Sequence, residues 1–121
     1  MNADGQKRRV LVVEDEALVA MLIEDMILDS GDEMAGSAGK LTDAVALAQE
    51  TQADVALLDI NLGGALAYPV ADVLRQRGVP IVFTTGYGSA GLIERFQDCP
   101  MLDKPFDQHS LEHAIHTILS S

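Results

Sequence analysis

Four short apolar runs in the sequence each end in side chains that can bind a phosphate or a metal ion. Carboxylates bind hard cations and can attack phosphorus, whereas an ammonium or a hydroxyl group binds phosphate oxygens. The runs and their polar ends are residues 10–13 with Glu14 and Asp15, 55–58 with Asp59, 81–83 with Thr84 and Thr85, and 100–102 with Asp103 and Lys104. If the runs are buried parallel strands, their ends meet at the sheet edge where open α/β sheets bind ligands. The pattern therefore predicts one acidic site with an ammonium group.

The carboxylates in this set are suited to metal binding and to covalent chemistry. Asp59 directly follows a strand of four apolar residues, so it is a candidate nucleophile that would form an aspartyl phosphate. Glu14 and Asp15 offer the oxygen ligands that Mg²⁺ prefers. Simpler interpretations stay open for each residue alone, because Glu14 and Asp15 could form a solvated strand end or cap the next helix, and Asp59 could form a turn before Asn61. We interpret residues 63–64, both Gly, as a flexible loop beside Asp59. The coincidence of all these groups at matching strand ends favours phosphoryl transfer.

The segments that would position these side chains alternate between strands and helices. Strands are predicted over residues 9–14, 34–38, 55–58, 79–84 and 100–102, and helices over 16–30, 41–52, 66–77, 87–96 and 107–120. Leu18, Leu22 and Met26 show the spacing of an amphipathic helix, and Gly31 is a typical residue after a helix end. The regular alternation predicts an α/β fold, with a doubly wound, five-stranded parallel sheet flanked by five helices.

Composition limits the classes of function. The chain has 121 residues and a formal net charge of -11, which disfavours direct binding to nucleic acid or to an anionic membrane surface. Cys99 is the single cysteine, as expected in a reducing cytoplasm, and no apolar run approaches the roughly 20 residues of a membrane span. We expect residues 1–8 to be an N-terminal tail and residues 9–121 to be one domain.

In order and spacing, the motifs resemble the receiver domain of two-component response regulators over nearly the whole chain. The similar pieces are residues 10–16, 57–62, 85–86 and 103–106. The resemblance implies a flavodoxin-like fold with strand order 2-1-3-4-5 and assigns a role to each candidate residue. The implied roles are Asp59 as phosphoacceptor, Glu14 and Asp15 as the acidic pair that binds Mg²⁺ with Asp59 and the Asn61 carbonyl, Thr85 as the switch hydroxyl, and Lys104 as the phosphoryl-contacting ammonium before a commonly cis Pro105.

A narrower resemblance concerns residues 83–87, which read Phe-Thr-Thr-Gly-Tyr. They are similar to the Phe-Ala-Thr-Gly-Tyr motif of a receiver subgroup often found as single-domain stress-response regulators in alphaproteobacteria, with Thr84 in place of Ala. Many receivers carry Tyr or Phe three residues before the lysine, where this chain has Met101. Tyr87 is then the candidate for a substitute ring. The expected switch residues are Thr85, Tyr87, Met101 and Pro105.

The resemblance implies a phosphorylation-controlled binding module. A sensor histidine kinase or a phosphotransfer protein would phosphorylate Asp59, and the changed surface would bind a downstream protein whose identity the sequence does not give. One alternative is a phosphate sink without an output. The other is a Mg²⁺-dependent phosphatase or hydrolase with an Asp nucleophile. Haloacid-dehalogenase-type enzymes carry Asp-x-Asp after the first strand, and Glu14-Asp15-Glu16 does not supply that motif.

Overall fold

The computed structural model of the protein describes residues 7–86 and 92–120. Strands and helices alternate along the chain, as the sequence predicts. The strands are β1 (Arg9–Val13), β2 (Glu33–Ala38), β3 (Val55–Asp59), β4 (Asn61–Leu62), β5 (Ala65–Leu66), β6 (Ile81–Thr85) and β7 (Met101–Asp103). The helices are α1 (Ala17–Asp29), α2 (Leu41–Glu50), α3 (Tyr68–Gln76) and α4 (Gln108–Leu119), and Glu94–Phe96 forms a 3-10 turn.

The main sheet has five parallel strands in the order β2-β1-β3-β6-β7. Counted within this sheet alone, the order is second, first, third, fourth, fifth, so the predicted doubly wound, flavodoxin-like topology is confirmed. The central strands are buried on both faces, which explains their nearly continuous apolar sequence.

The two faces of the sheet carry separate hydrophobic layers. One layer joins the sheet to α2 and α3, and its members include Leu11, Val13, Ala44, Ala48, Leu58, Leu74 and Phe83. The other joins it to α1 and α4, and its members include Val10, Val12, Ile23, Ile27, Leu111 and Ile115. Because neighbouring residues of a strand point to opposite faces, the single run 10–13 contributes to both layers.

The buried face of α1 differs from the expected one. Leu18 and Leu22 are 70% and 52% exposed, whereas Ile23 and Ile27 are fully buried. The helix carries apolar residues around most of its circumference, so spacing alone did not select the face that packs. An exposed apolar strip therefore remains on α1.

The segment after Asp59 was predicted incompletely. Strands β4 and β5 form a small antiparallel hairpin in which Asn61 pairs with Leu66, so Leu66 does not belong to the predicted helix 66–77. Gly63 and Gly64 have φ angles of 60° and 95°, as a two-residue type I′ turn requires. Helix α3 begins only at Tyr68, with proline in its first turn as expected.

The predicted fourth helix, residues 87–96, falls partly outside the described residues. Of that range, residues 87–91 are not described, and its end forms a 3-10 turn rather than an α-helix. Strand β2 continues through Gly36, but its pairing with β1 shifts there, from Val10 with Met34 to Leu11 with Gly36. A Cβ added at Gly36 would lie 3.1 Å from the Leu47 side chain of α2. Within residues 7–86 and 92–120, no helix is long and apolar enough to cross a bilayer.

The start of α4 gives a first prediction. The Asp107 carboxylate accepts a hydrogen bond from the backbone N–H of Ser110 at 2.8 Å, which lowers the pKa of Asp107. We expect Asp107→Ala to lower the urea midpoint at pH 7 because the helix loses its cap. Asp107→Asn should retain most of the stability, since the amide oxygen is also a good cap.

The pH dependence has a definite sign. A depressed carboxyl pKa contributes stability above the unfolded-state pKa and loses it as the pH falls through the folded-state pKa. The difference in urea midpoint between wild type and Asp107→Ala should therefore shrink on acidification below the pKa of about 3.8 that the group has when unperturbed. An equal difference in urea midpoint at pH 7 and at a pH below about 3.8 would contradict the capping role of the charge.

Candidate functional site

The ammonium group of Lys104 joins two buried carboxylates from different strands. Its Nζ donates to Glu14 Oε1 at 2.9 Å and to Asp59 Oδ2 at 3.0 Å. Glu14 is only 3% exposed and Asp59 only 5%. Charged groups this deeply buried need partners, and each carboxylate obtains one from the same ammonium.

The register of the parallel sheet brings these residues together. Asp59 is the last residue of β3 and pairs with Thr84 of β6, and Thr85 pairs with Asp103 of β7. Glu14 directly follows β1, whose last residue pairs with Leu58. All four strand ends are therefore level, as the sequence predicts.

Backbone hydrogen bonds extend the sheet just beyond the ends of β1 and β7. The Lys104 N–H donates to the Thr85 carbonyl oxygen at 2.7 Å, and the Glu14 N–H donates to the Ala38 carbonyl oxygen at 3.0 Å. These bonds extend the sheet ladder by one residue at β1 and β7. They hold Glu14 and Lys104 at the heights from which their side chains meet Asp59.

The β4–β5 hairpin forms the third side of the site. The Gly63 N–H donates to Asp15 Oδ2 at 3.0 Å, and the Asn61 N–H donates to Asp59 Oδ1 at 3.2 Å. The Asn61 side-chain oxygen accepts from the Gly64 N–H at 2.8 Å and so faces its own turn. The hairpin thereby holds one exposed and one buried carboxylate through backbone amides.

Three carboxylates converge at this edge of the sheet. Glu14, Asp15 and Asp59 each place an oxygen within 4.8 Å of the other two, close enough to hold one metal ion. An all-oxygen set fits a hard cation such as Mg²⁺, which keeps part of its water shell. The donor chemistry therefore agrees with the predicted metal-binding residues.

The electrostatic balance of the site is negative. Burial raises the pKa of Glu14, and the charge of Asp59 adds to this, while the Lys104 hydrogen bond opposes it. Burial alone would lower the pKa of Lys104, but its hydrogen bonds to Glu14 and Asp59 outweigh that effect and raise it. Lys104 is thus charged at neutral pH, whereas burial disfavours the charged form of Glu14. One ammonium faces three carboxylates, so a divalent cation would be attracted.

The site opens into a cleft of about 530 Å³. Its polar wall consists of Asp15, Glu16, Asp59, Asn61, Thr85 and Lys104. Its apolar wall consists of Val19, Leu22, Ile23, Met26, Pro105 and Phe106. The Lys104–Pro105 peptide bond is cis, as the resemblance implies. The cleft therefore combines charged groups with an apolar entrance formed largely by α1.

The predicted switch residues have different locations. Thr85 is buried at the end of β6, and Pro105 lines the cleft. Met101 starts β7 beside Phe83 and packs against the α2–α3 layer, away from the cleft lining. Tyr87 lies outside the described residues.

Sequence analysis missed two contributors to the site. Gly63 was interpreted as part of a flexible loop, yet its amide binds Asp15. The signal was present, because a Gly-Gly pair between short apolar segments is typical of a two-residue hairpin turn. Tyr68, at the base of the same hairpin, received no role, and nothing local in the sequence indicated one.

This combination of a five-stranded parallel sheet with an acidic edge and a bridging lysine defines the receiver class of signalling domains. Residues 10–116 match the family described as the response regulator receiver domain, so the chain belongs to that family.

Known relatives agree with this assignment. The chain is 34% identical over 117 residues to the transcriptional regulatory protein PdtaR of Mycobacterium tuberculosis, covering 93% of this chain and 57% of PdtaR. It is 32% identical over 114 residues to the phyllosphere-induced regulator PhyR of Methylorubrum extorquens, covering 91% of this chain and 43% of PhyR. The chain thus spans about half the length of these curated relatives.

Solved structures show the same architecture. The solution structure of SdrG from Sphingomonas melonis Fr1 superposes with a TM-score of 0.84 at 36% identity, covering 98% of this chain and 99% of SdrG. The receiver domain of PhyR from Erythrobacter litoralis gives a TM-score of 0.83 at 30% identity, covering 98% and 94% of the two chains.

The surplus of negative charge yields a second prediction. Asp15→Asn removes one charge from the carboxylate group but keeps an oxygen that can accept from the Gly63 N–H. Without divalent cations, we expect this variant to be more stable than wild type by up to about 1 kcal/mol, the scale of exposed charge pairs.

The measurement is urea unfolding in the presence of a chelator. Asp25→Asn, on the exposed side of α1, changes the net charge equally and serves as the control. An equal gain in both variants would assign the effect to net charge rather than to the cluster.

Proposed function

We propose that this domain accepts a phosphoryl group on Asp59 from a phosphohistidine of a sensor histidine kinase or phosphotransfer protein in the cytoplasm. The observation that carries the proposal is the position of the Asp59 carboxylate, which lies in the cleft 3.0 Å from the Lys104 ammonium. Membership of the receiver family supports it.

The reaction transfers the phosphoryl group between two nucleophiles. One Asp59 carboxylate oxygen forms the new P–O bond while the P–N bond to the donor histidine breaks and the ring nitrogen keeps the electron pair. Lys104 neutralises charge on the incoming group, and the Thr85 hydroxyl is the proposed partner of another phosphoryl oxygen. Such reactions depend mainly on positioning and charge neutralisation, which this preorganised site supplies.

Magnesium is the proposed cofactor. Asp15, Asp59 and the Asn61 carbonyl would hold it, with Glu14 as the further carboxylate, and the convergence of three of these groups within 4.8 Å supports this set. When bound, the cation reduces the repulsion between the carboxylate and the anionic phosphoryl donor. The proposed binding residues directly follow β1 or lie at the end of β3 and on the hairpin, so the same elements position the cation site and the nucleophile.

The entrance of the cleft provides a surface for the phosphodonor. Leu18, Met21 and Leu22 of α1 are exposed, and Leu22 also lines the cleft. Because this exposed apolar strip adjoins the cleft at Leu22, we propose that the phosphodonor docks on it through an apolar surface. We propose further that the output is a protein contact, since the charge of -11 opposes direct binding to nucleic acid.

A direct test uses acetyl phosphate with Mg²⁺. We expect wild type to gain one hydroxylamine-sensitive phosphoryl group per chain, detected by intact mass spectrometry, and Asp59→Asn to gain none. Asp103→Asn is the matched control, because this acid also ends a strand of the same sheet, β7, but does not line the cleft. Labelling of Asp59→Asn at the wild-type level would show that the acceptor is another residue.

Two further measurements on the same protein distinguish the receiver from the phosphatase and from the phosphate sink. Sustained hydrolysis of a generic phosphomonoester would indicate the phosphatase, whereas stable modification at one site per chain supports the receiver. A phosphorylated domain whose backbone amide signals are unchanged outside the site would indicate a phosphate sink.

Lys104 supplies a further prediction. Lys104→Ala should still be labelled, because Asp59 remains, but the response of residues 101–106 to beryllium fluoride with Mg²⁺ should be lost, since the ammonium that links Asp59 to this segment is absent. Amide chemical shifts measure the response. Lys40→Ala, which removes an exposed charge before α2, is the control and should respond as wild type. A full response in Lys104→Ala would exclude Lys104 as the link.

A further inference from the structure

The hydroxyl group of Tyr68 makes a contact that the proposed reaction does not use. Tyr68 is the first residue of α3, and its hydroxyl oxygen accepts a hydrogen bond from the Ile93 N–H at 3.1 Å. Ile93 immediately precedes the 3-10 turn Glu94–Phe96. One side chain thus connects the base of the β4–β5 hairpin to the segment that enters β7.

Three aromatic rings surround this contact. Tyr68 stacks on Phe96, with ring centroids 5.7 Å apart and an interplanar angle of 8°. Phe83 packs against both rings, at 6.3 Å from Tyr68 and 5.6 Å edge-on from Phe96. All three rings are buried, and Phe83 lies two residues before Thr85 on β6. The cluster is therefore joined to the strand that ends at Thr85.

Two arginines hold Phe96 from its outer side. The guanidinium carbons of Arg75 and Arg95 lie 4.6 and 5.1 Å from the Phe96 ring centroid. Arg75 belongs to α3 and also donates to the Arg95 carbonyl oxygen, while Arg95 pairs with Asp72 of α3 at 2.9 Å. The segment 92–96 is consequently fixed to α3 rather than to the sheet edge alone, and a displacement of the α3 start would reach it.

The other end of the connection is the phosphoacceptor itself. Asn61 donates to Asp59 Oδ1, and Gly63 donates to Asp15 Oδ2, so both hairpin contacts involve oxygens that phosphorylation or a cation would engage. At the hairpin base, the Ala67 N–H donates to the Ile60 carbonyl oxygen at 2.8 Å, one residue before Tyr68. Hydrogen bonds and covalent bonds thus form a continuous connection from Asp59 through the hairpin base and Tyr68 to Ile93.

We infer that Tyr68 is a positioning residue that transmits the state of Asp59 from the β4–β5 hairpin to residues 92–96 through its hydroxyl group. The inference rests on the proposed phosphorylation of Asp59. The sequence-predicted candidate for a substitute ring, Tyr87, lies outside the described residues, whereas Tyr68 is a buried ring whose hydroxyl contacts the segment before β7. Met101, at the start of that strand, has no hydroxyl with which to make such a bond.

The test compares wild type with Tyr68→Phe, which keeps the stacked ring and removes only the hydroxyl. In the free protein, loss of one hydrogen bond should speed exchange of the Ile93 amide by roughly two- to tenfold. On addition of beryllium fluoride and Mg²⁺, wild type should show amide shift changes over residues 93–96. In Tyr68→Phe these changes should fall severalfold, while labelling of Asp59 by acetyl phosphate persists.

A second pair of variants removes the donor instead of the acceptor. Ile93 has φ -72° and ψ 161°, which proline can adopt, so Ile93→Pro removes the N–H with the local backbone retained. Ile93→Ala keeps the N–H and is the matched control for the lost side chain. The shift changes at Glu94 and Phe96 should be lost in Ile93→Pro and retained in Ile93→Ala. Ser30→Ala, which removes a hydroxyl between α1 and α4, controls for hydroxyl loss elsewhere.

The outcomes are distinguishable. Undiminished shift changes over residues 93–96 in Tyr68→Phe, with normal labelling, would overturn the transmitting role and leave the phosphoacceptor intact. Absence of labelling in wild type would overturn both. Loss of the response in Tyr68→Phe but not in Ser30→Ala would establish the hydroxyl as the link.

Discussion

The buried ammonium of Lys104 between Glu14 and Asp59 is the interaction on which the rest of the site depends. Three charges meet where little water reaches them, so each needs the others in place. Glu14 follows β1, Asp59 ends β3 and Lys104 follows β7, and β6 separates β3 from β7 in the sheet. Their contact therefore requires the whole strand order and a register correct to one residue. The strand order that defines the fold therefore also brings the three charged groups of the site together.

The sequence predicted the site better than it predicted the surroundings. The strand ends were recognisable as polar residues that follow apolar runs. Because a parallel sheet brings these ends to one edge, the sequence also predicted that the polar residues lie close together. The packing face of α1 was not recognisable, because Leu18, Leu22, Ile23 and Ile27 are equally apolar and only the tertiary contacts distinguish them. The interpretation of residues 63–64 as a loop overlooked the positive φ angles that a Gly-Gly turn provides.

The connection through Tyr68 could not be predicted for a different reason. Its partners are 15 and 28 residues away in the chain, at Phe83 and Phe96, and no local pattern relates the three rings. Only the folded chain shows that the ring stacked on Phe96 begins the helix that follows the β4–β5 hairpin. Sequence motifs therefore predict the residues of the site. The contacts of Tyr68 depend instead on packing between α3, β6 and the segment before β7, which no motif predicts.

The β4–β5 hairpin holds Asp15 and Asp59 through the backbone amides of Gly63 and Asn61. A main-chain donor is the same whatever residue supplies it, provided that the turn geometry survives. The exposed Leu66 and half-buried Ala65 of the hairpin can therefore diverge without moving either carboxylate. The side chains of the hairpin can thus vary beside Asp59 while the backbone amides keep both carboxylates in place.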